Sequence, residues 1–453
     1  MRKKWMALAL VLALTLSWCA GSALAEETGP EDAQTAESGE NTETGETPEG
    51  EEPAEDTEEN AASPAGPDPA PETDPETGEI MDTGYVPDPV GSVTFENVER
   101  RMREGNLQVL ALQETVDMLN SIDYADLQED LRQQLNQIAQ GQWYMVLMGQ
   151  SGTLAYEQMD QAYDAVREQF DAIKDGEMQK DNADALRNVQ NLQDQIVMAG
   201  EATYVALATM ELQAASLERQ LEATNRTVEE MELRYQMGQI SALQLSQTRA
   251  GQASLASGLA TMQMNLRTYK TQLQMLLGAE MTGELELGAV PTVTAEQLAA
   301  MDVEADLQTA KERSYELLDA SNTLEDERES FEDNYSYNST SLSSQQALHT
   351  WQAAQYTYDN TVQDYERRFR LLYDQVNDYQ QIWEASKVSL ETQKLSYASS
   401  ELQYEQGGTI SHNALLTAQD DLADAEEAVQ SAAINLFSAY NTYCWAVQNG
   451  ILN

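Results

Sequence analysis

The chain has 453 residues and a formal net charge of −53 at pH 7, with only two cysteines and two histidines. So strong an acidic excess argues against a nucleic-acid partner, because phosphate binding needs a basic surface. Cys19 lies in the leader described next, which leaves Cys444 alone and excludes an intrachain disulfide and a cysteine metal cluster. No nucleophile–base grouping, phosphate loop or metal-ligand spacing occurs. The sequence therefore predicts a protein that is not an enzyme and has no cofactor or metal site.

The N-terminus has the pattern of an export signal. Three basic residues (2–4) precede an apolar run from Trp5 to Trp18, and Ala23-Leu24-Ala25 forms a small-residue cleavage site. This pattern predicts a signal peptide over residues 1–25 that is cleaved after Ala25, so that the protein is exported to the cell envelope. A lipid-anchored Cys19 is the alternative, but bulky Trp18 fits a lipoprotein box poorly.

Residues 26–90 form a linker with an unusual composition. Between Glu26 and Asp82 there are 21 Asp and Glu residues and no Lys or Arg, and ten prolines lie between Pro30 and Pro89. Such a segment buries too little apolar surface to offset its chain entropy, and its charges repel one another. We expect a disordered, acidic, proline-rich linker; a specific acidic binding element is the alternative.

Residues 91–278 have helical periodicity throughout. Single helices are predicted over Thr94–Leu119, near 125–148 and near 156–173, with breaks at Gly149–Gly152 and Lys174–Gly176. A much longer helix follows from about Asn182. It ends at Tyr235-Gln-Met-Gly238-Gln-Ile-Ser241, where glycine favours the left-handed end of a helix and serine caps the next one.

The long helix and its return arm occur twice in the chain. Apolar and small residues alternate in steps of four and three from Ile196 to Tyr235, and the same register recurs 169 residues later, from Tyr365 to Tyr404. The return arms, Ser241–Leu276 and Ser411–Ala446, are related by 170 residues, because the second bend contains an extra glycine. The pattern predicts an all-α fold of two duplicated coiled-coil hairpins.

The two halves are joined by residues 279–298, where Leu285–Leu287 suggests a short extended segment. The second half, 299–453, is predicted to open with a helix over Ala299–Glu329, followed by a polar loop, Phe331–Thr340. The next long helix is expected to begin near Gln345 and to end at the second bend, Tyr404–Ser411.

Several of these segments resemble the TolC family of outer-membrane efflux proteins. The motifs are the opening Thr94–Gln108, the first bend Leu233–Leu245, the closing Leu273–Gly278, and the second bend with its following helix, Leu402–Gln419. Two positions depart from the family pattern: no proline follows Asn106, and Gln244 replaces an acidic residue. The resemblance covers most of residues 92–450. It implies a homotrimer whose hairpins form a helical tube, the TolC-like helical barrel of the oligomer.

The family also carries a two-stranded hairpin in each half, and these strands form an outer-membrane β-barrel. Membrane strands need about 9–11 residues with alternating apolar positions, and neither 156–173 nor 331–344 has that pattern. We therefore expect the β-barrel portion to be absent or reduced. The resemblance implies an outer-membrane location, and the missing strands argue against it.

In the family, the bends at the end of the tube meet an adaptor of the membrane-fusion type that serves an ABC or other export pump. The resemblance thus implies an efflux or export conduit with a docking site at the bends; the alternative role of the glycines is only to end helices. A structural coiled-coil scaffold or spacer of the cell envelope, without transport, is the alternative function.

The acidic residues between Asp420 and Glu427 are expected on a solvated helix face, or else in a cation-attracting lining. The predicted docking residues are Gly238, Gln239, Ile240, Gly407, Gly408, Thr409 and Ile410.

Overall fold

The computed structural model describes residues 88–408 and 410–452, apart from the side chains of Tyr337 and Asn338. The predicted signal peptide, residues 26–87 of the predicted linker and Thr409 lie outside the described residues. The described part confirms the predicted all-α fold class. Its elements are β1 (Ser92–Val93), α1 (Phe95–Gly105), α2 (Leu107–Asn120), α3 (Tyr124–Leu147), α4 (Leu154–Lys174), α5 (Glu177–Gln236), α6 (Ala242–Leu276), β2 (Glu286–Leu287), α7 (Ala295–Ala299), α8 (Val303–Arg313), α9 (Tyr315–Asn338), α10 (Leu342–Glu405) and α11 (His412–Asn449).

Two long antiparallel hairpins, α5 with α6 and α10 with α11, form the body of the fold. The 60 residues of α5 extend over roughly 90 Å at 1.5 Å per residue. Polar pairs connect α5 to α6 along their length, as in the contacts of Glu211 with Lys270 (2.7 Å) and of Glu232 with Arg249 (2.6 Å). Both hairpins were predicted, and only the start of α5, five residues earlier than Asn182, differs appreciably for the first one.

The Asn106 side chain connects the start of the first half to its end. The Asn106 side chain accepts hydrogen bonds from the backbone N–H groups of Gln108 (2.9 Å) and Val109 (3.2 Å), which caps α2. Its amide also donates to the backbone oxygen of Leu276 (2.8 Å). The prediction of one helix over Thr94–Leu119 is therefore wrong, because Asn106 ends α1 and starts α2.

The second half repeats this arrangement. Ser314 separates α8 from α9 and accepts a hydrogen bond from the backbone of Leu317 (3.4 Å). Arg313 donates to the backbone oxygen of Gln448 (2.8 Å), and Gly450 packs against Ser314 with a φ of +69°. The single helix predicted over Ala299–Glu329 is wrong: α7, α8 and α9 replace it, with breaks before Val303 and at Ser314.

The predicted polar loop over Phe331–Thr340 is also wrong. Helix α9 continues to Asn338, and α10 begins at Leu342. Within this segment the Phe331 ring stacks on Trp351 of α10 at 5.3 Å, and the Ser344 hydroxyl donates to the backbone oxygen of Asn334 (2.8 Å). These contacts with the next helix offset the weak local preference of a polar sequence for helix.

The segments to which the resemblance assigns strands are thus largely helical: 156–173 lies in α4, and 331–344 comprises the end of α9 and the start of α10. Between Asp88 and Leu452, leaving out Thr409, no helix combines the length and the apolar character that crossing a membrane requires.

Two buried tyrosines, one on α5 and one on α10, contact backbone oxygens of other segments. Strands β1 and β2 pair in parallel, with Ser92 opposite Glu286; β2 falls within the predicted extended segment, but its partner was not predicted. The Tyr204 hydroxyl donates to the backbone oxygen of Gly288 (2.7 Å) beneath this pair. The Tyr365 hydroxyl lies 3.1 Å from the backbone oxygen of Gly450. Burial raises the pKa of both phenols to about 12, so both remain protonated donors.

The close approach of Gly278 to the backbone of Gly105, at the base of the first half, leads to a prediction. Its φ is +65°, and a Cβ atom would lie 2.2 Å from the backbone oxygen of Gly105. Gly238 has a similar φ of +74° but open space around it. Left-handed backbone alone costs an alanine about 1–2 kcal/mol. We therefore expect Gly238→Ala to lower the free energy of unfolding by that amount, and Gly278→Ala to lower it by clearly more, in urea titrations followed by circular dichroism. Equal losses would contradict the assigned close contact.

Candidate docking site at the two helical bends

The first bend is closed by main-chain hydrogen bonds at both helix ends. After α5 the N–H of Gly238 donates to the oxygen of Tyr235 (2.9 Å), and the N–H of Gln239 donates to that of Arg234 (2.8 Å). This pair of bonds, with Gly238 left-handed, is a Schellman motif. Ser241 then caps α6 in a capping box with Gln244. The predicted roles of glycine and serine in ending and starting these helices are confirmed.

The second bend has one more residue and a looser closure. Gly407 and Gly408 have φ values of +139° and +65°, and the N–H of Gly408 donates to the oxygen of Tyr404 (3.2 Å). Ser411 accepts from the N–H of Ala414 (3.1 Å) and caps α11. The extra glycine thus gives this bend a different backbone path while preserving the serine cap.

The predicted docking residues lie at the surface. Gly238, Gln239, Gly407 and Gly408 are exposed, while Ile240 and Ile410 are partly buried. A Cβ atom on any of the three glycines would meet nothing within 4 Å, so their immediate surroundings are open. Thr409 is not described. Sequence reasoning missed the large exposed side chains beside the bends, which their positions outside the hairpin seam would have indicated: Leu233, Met237, Leu243 and Leu402. Tyr404 is also exposed, although it lies at the end of the predicted seam.

Both bends lack charge. Residues 235–248 and 406–419 contain no Asp, Glu, Lys or Arg, in a chain in which 23% of residues are charged. Arg234 and Arg249, which flank the first bend, pair with Glu230 and Glu232 of α5. The exposed surface of the bends therefore consists of backbone amides, apolar side chains and neutral polar groups.

Contacts between the hairpins place the two bends at the same end of the fold. Helix α5 packs antiparallel to α11, and ion pairs connect Arg219 with Glu427 and Arg226 with Asp420. Closer to the bends, the Asn413 amide donates to Glu230 (2.8 Å). Three of the acidic residues between Asp420 and Glu427 thus pair with α5, since Asp424 lies 3.6 Å from Arg219. For these three residues, the pairing with α5 supports neither of the two expectations from the sequence, a fully solvated helix face or a cation-attracting lining.

A buried carboxylate holds the same two helices together farther from the bends. One oxygen of Glu201 on α5 accepts hydrogen bonds from the Asn441 amide and the Trp445 indole of α11, both at 2.7 Å. Burial raises the pKa of Glu201, and its two donors only partly oppose that effect. Asn449 adds a further link by donating to Asp194 (2.7 Å). Sequence reasoning missed these residues, because their partners are about 240 positions away.

The four long helices pack in the order α6, α5, α11, α10, so that α6 and α10 form the edges of the layer. Helix α6 contains three basic residues and no acidic one, whereas α10 contains nine acidic and five basic residues. Large exposed apolar side chains lie on both edge helices: Leu243, Met264 and Met275 on α6, and Leu371, Ile382, Val388, Leu395 and Leu402 on α10. Two of the three basic residues of α6 pair with α5, Lys270 with Glu211 and Arg249 with Glu232. What the two edges share is exposed apolar side chains.

No group of three or more His, Cys, Asp or Glu residues suited to a metal ion occurs among the described residues.

Solved structures similar to this chain are outer membrane channel proteins. The outer-membrane channel OprN is 14% identical, with a TM-score of 0.46 and coverage of 79% of this chain and 90% of its own. The open MtrE channel of Neisseria gonorrhoeae is 13% identical, with a TM-score of 0.42 and coverage of 79% and 89%. VceC of Vibrio cholerae is 16% identical, with a TM-score of 0.40 and coverage of 59% and 74%.

No protein-family model and no curated protein sequence matches the chain. The matched structures are proteins of the kind that the sequence resemblance indicated.

The buried Glu201 leads to a prediction about pH. Its folded-state pKa is raised above the ordinary value of 4.5, so the buried charge destabilises the fold as pH rises from 4.5 through that raised pKa. Each tenfold decrease in the acid dissociation constant of Glu201 on folding lowers the free energy of unfolding by about 1.4 kcal/mol at pH values above the folded-state pKa. Glu201→Gln keeps an acceptor for Trp445 without the charge. We expect the unfolding free energy of Glu201→Gln to exceed that of the wild type increasingly above pH 4.5.

The matched variant is Glu201→Ala, which leaves two buried donors unpaired and should lose about 1–3 kcal/mol. Both variants are compared with the wild type in urea titrations at a series of pH values. A pH-independent difference between wild type and Glu201→Gln would contradict this assignment.

Proposed function

We propose that the chain is a subunit of an exported α-helical conduit that docks by its two bends onto an adaptor of an efflux or export pump. The observation that carries the proposal is the placement of both uncharged, exposed bends at one end of a layer of long helices with two open edges. A single layer of this kind buries each helix on only part of its surface, so it needs further copies to cover its edges.

The two edges support a head-to-tail association of copies. Helix α6 of one copy and helix α10 of the next both expose apolar side chains, which a contact between these two surfaces would cover. A contact between two different surfaces generates a ring when its rotation closes. We propose a homotrimer, as the sequence resemblance implies, in which three layers of four long helices surround a lumen.

In this assembly transport is passive and the pump supplies the energy. The partners are an adaptor of the membrane-fusion type and an ABC or other export pump. The bends dock through backbone groups, Gln239, Ile240, Ile410 and their exposed apolar neighbours rather than through ion pairs, because 235–248 and 406–419 have no charged side chain. A structural scaffold or spacer would need neither a lumen nor an adaptor.

The edge contact is tested by charge substitution on α10. We expect the exported chain to sediment as a trimer and to appear as a hollow tube in electron microscopy. Val388→Asp with Leu395→Asp places two charges on the exposed edge and should yield monomers. The matched control is Val90→Asp with Leu107→Asp, at residues of the same types that are more exposed and lie outside the edges, and it should remain trimeric. A monomeric wild type, or solid rods, would contradict the conduit.

The docking role is tested by charging both bends. Gln239→Asp with His412→Asp should weaken capture of an adaptor encoded beside this chain by about tenfold or more, since each new carboxylate must be desolvated at the contact. Gln346→Asp with His349→Asp makes the same substitutions at exposed positions near the opposite end of α10 and should bind normally. Wild-type binding should change little between low and high salt. Equal binding by both variants would show that the bends do not dock.

A further inference from the structure

The turn between α3 and α4 exposes an unusual concentration of large apolar side chains. Six residues within twelve positions are each more than half exposed, and we call them the α3–α4 turn surface. The Trp143 and Tyr144 rings contact each other edge to face at 5.4 Å. The hairpin that carries this turn joins α5 at Glu177, at the end of α5 opposite to Gly238. The six residues are Trp143, Tyr144, Val146, Leu147, Met148 and Leu154.

Helix α3 changes character just before this turn. Up to Gln142 it is an ordinary amphipathic helix: Leu131 is buried and Leu135 and Ile138 are partly buried towards the hairpin, while the exposed positions are charged or polar residues and two alanines. The last polar contact across the hairpin is Gln142 donating to Asp160 (3.1 Å). After Gln142, the positions of α3 that face away from α4 become apolar, like those that face it.

The apolar side chains do not form a single stripe. At 100° per residue, positions 143, 144, 146, 147 and 148 cover about 200° of the helix circumference, which is the part not facing α4. Leu154 adds an exposed apolar side chain from α4. A protein partner docks on one face of a helix and would leave much of this surface wet. An apolar surface on all free sides fits a medium that surrounds it, which is the acyl region of a lipid layer.

The charge pattern points to the same occupant. Residues 133–156 contain no Asp, Glu, Lys or Arg, although the chain has a formal net charge of −53. Every charge brought into an acyl layer carries a desolvation cost, and acidic groups are also repelled by anionic headgroups. Trp and Tyr are the side chains most enriched where lipid meets water, because each has an apolar body and a polar group.

The dimensions agree with shallow insertion. From Trp143 to Met148 the helix rises about 7.5 Å, and interfacial helices insert to a depth of about 5–10 Å. We propose that the α3–α4 turn surface inserts into one leaflet of a lipid bilayer and anchors this end of the protein to the membrane surface. This inference does not depend on the conduit: a scaffold with the same turn would be anchored in the same way.

The test is flotation of the purified, exported chain with vesicles of phosphatidylcholine, alone or mixed with phosphatidylglycerol. The wild type should float with both at low and high salt, because its insertion is apolar. Leu147→Ser with Met148→Ser should lower the partition into vesicles by about tenfold or more. Leu107→Ser with Met281→Ser is the matched control, since those side chains are 80% and 62% exposed against 66% and 74%, and it should float like the wild type.

Depth is read from Trp143 itself. Brominated phosphatidylcholine should quench part of the tryptophan fluorescence of the wild type, and Trp143→Phe should abolish that part. The proposal is overturned if the wild type does not float, if Leu147→Ser with Met148→Ser floats equally well, or if Trp143→Phe leaves the quenching unchanged. It is also overturned if the wild type stays unbound and the double variant instead lowers the oligomeric state, which would assign the turn surface to a contact between copies.

Discussion

The antiparallel contact between α5 and α11 determines where everything else lies. It runs from Asp194 with Asn449, through the buried Glu201 and Trp445, to Arg226 with Asp420 and Glu230 with Asn413. The 37 residues of α5 from 194 to 230 extend over roughly 54 Å. Without this contact, the two halves would be joined only by contacts farther from the bends, such as Phe95 with Phe437 and Asp184 with Asn322. With it, both bends lie at one end, and α6 and α10 become the outer edges.

The energetics of this contact vary along its length. The ion pairs near the bends are partly exposed, and pairs of that kind each contribute little, about 0–1 kcal/mol. Glu201 is different, because its buried carboxylate requires the donors of Asn441 and Trp445, and losing either would leave a polar group unpaired. The buried group therefore specifies the register of the two helices, while the ion pairs near the bends tolerate change.

The regions that we propose as binding surfaces contain no charged side chain. The two bends and the α3–α4 turn are neutral within a strongly acidic chain, but their surfaces differ. The bends combine open glycine backbone with a few apolar side chains, which suits a shaped protein partner. The α3–α4 turn surface presents Trp143, Leu147, Met148 and their neighbours on every free side, which suits a surrounding lipid layer. Elsewhere the acidic surface keeps the protein soluble and prevents unspecific association.

What the sequence by itself determined is local. Periodicity and the glycine–serine bends indicated both hairpins and the turn at Gly149–Gly152, because each depends on residues a few positions apart. The duplication followed from comparing the two local patterns with each other. The α5–α11 contact, the β1–β2 pair and the helical state of 331–338 came only from tertiary structure, because their partners lie in other elements. The breaks at Asn106 and Ser314 lie between these cases. Asn106 and Ser314 are residue types that cap helices, but sequence analysis predicted neither break. The backbone of Gly278 and of Gly450, more than 130 positions away, packs directly against them.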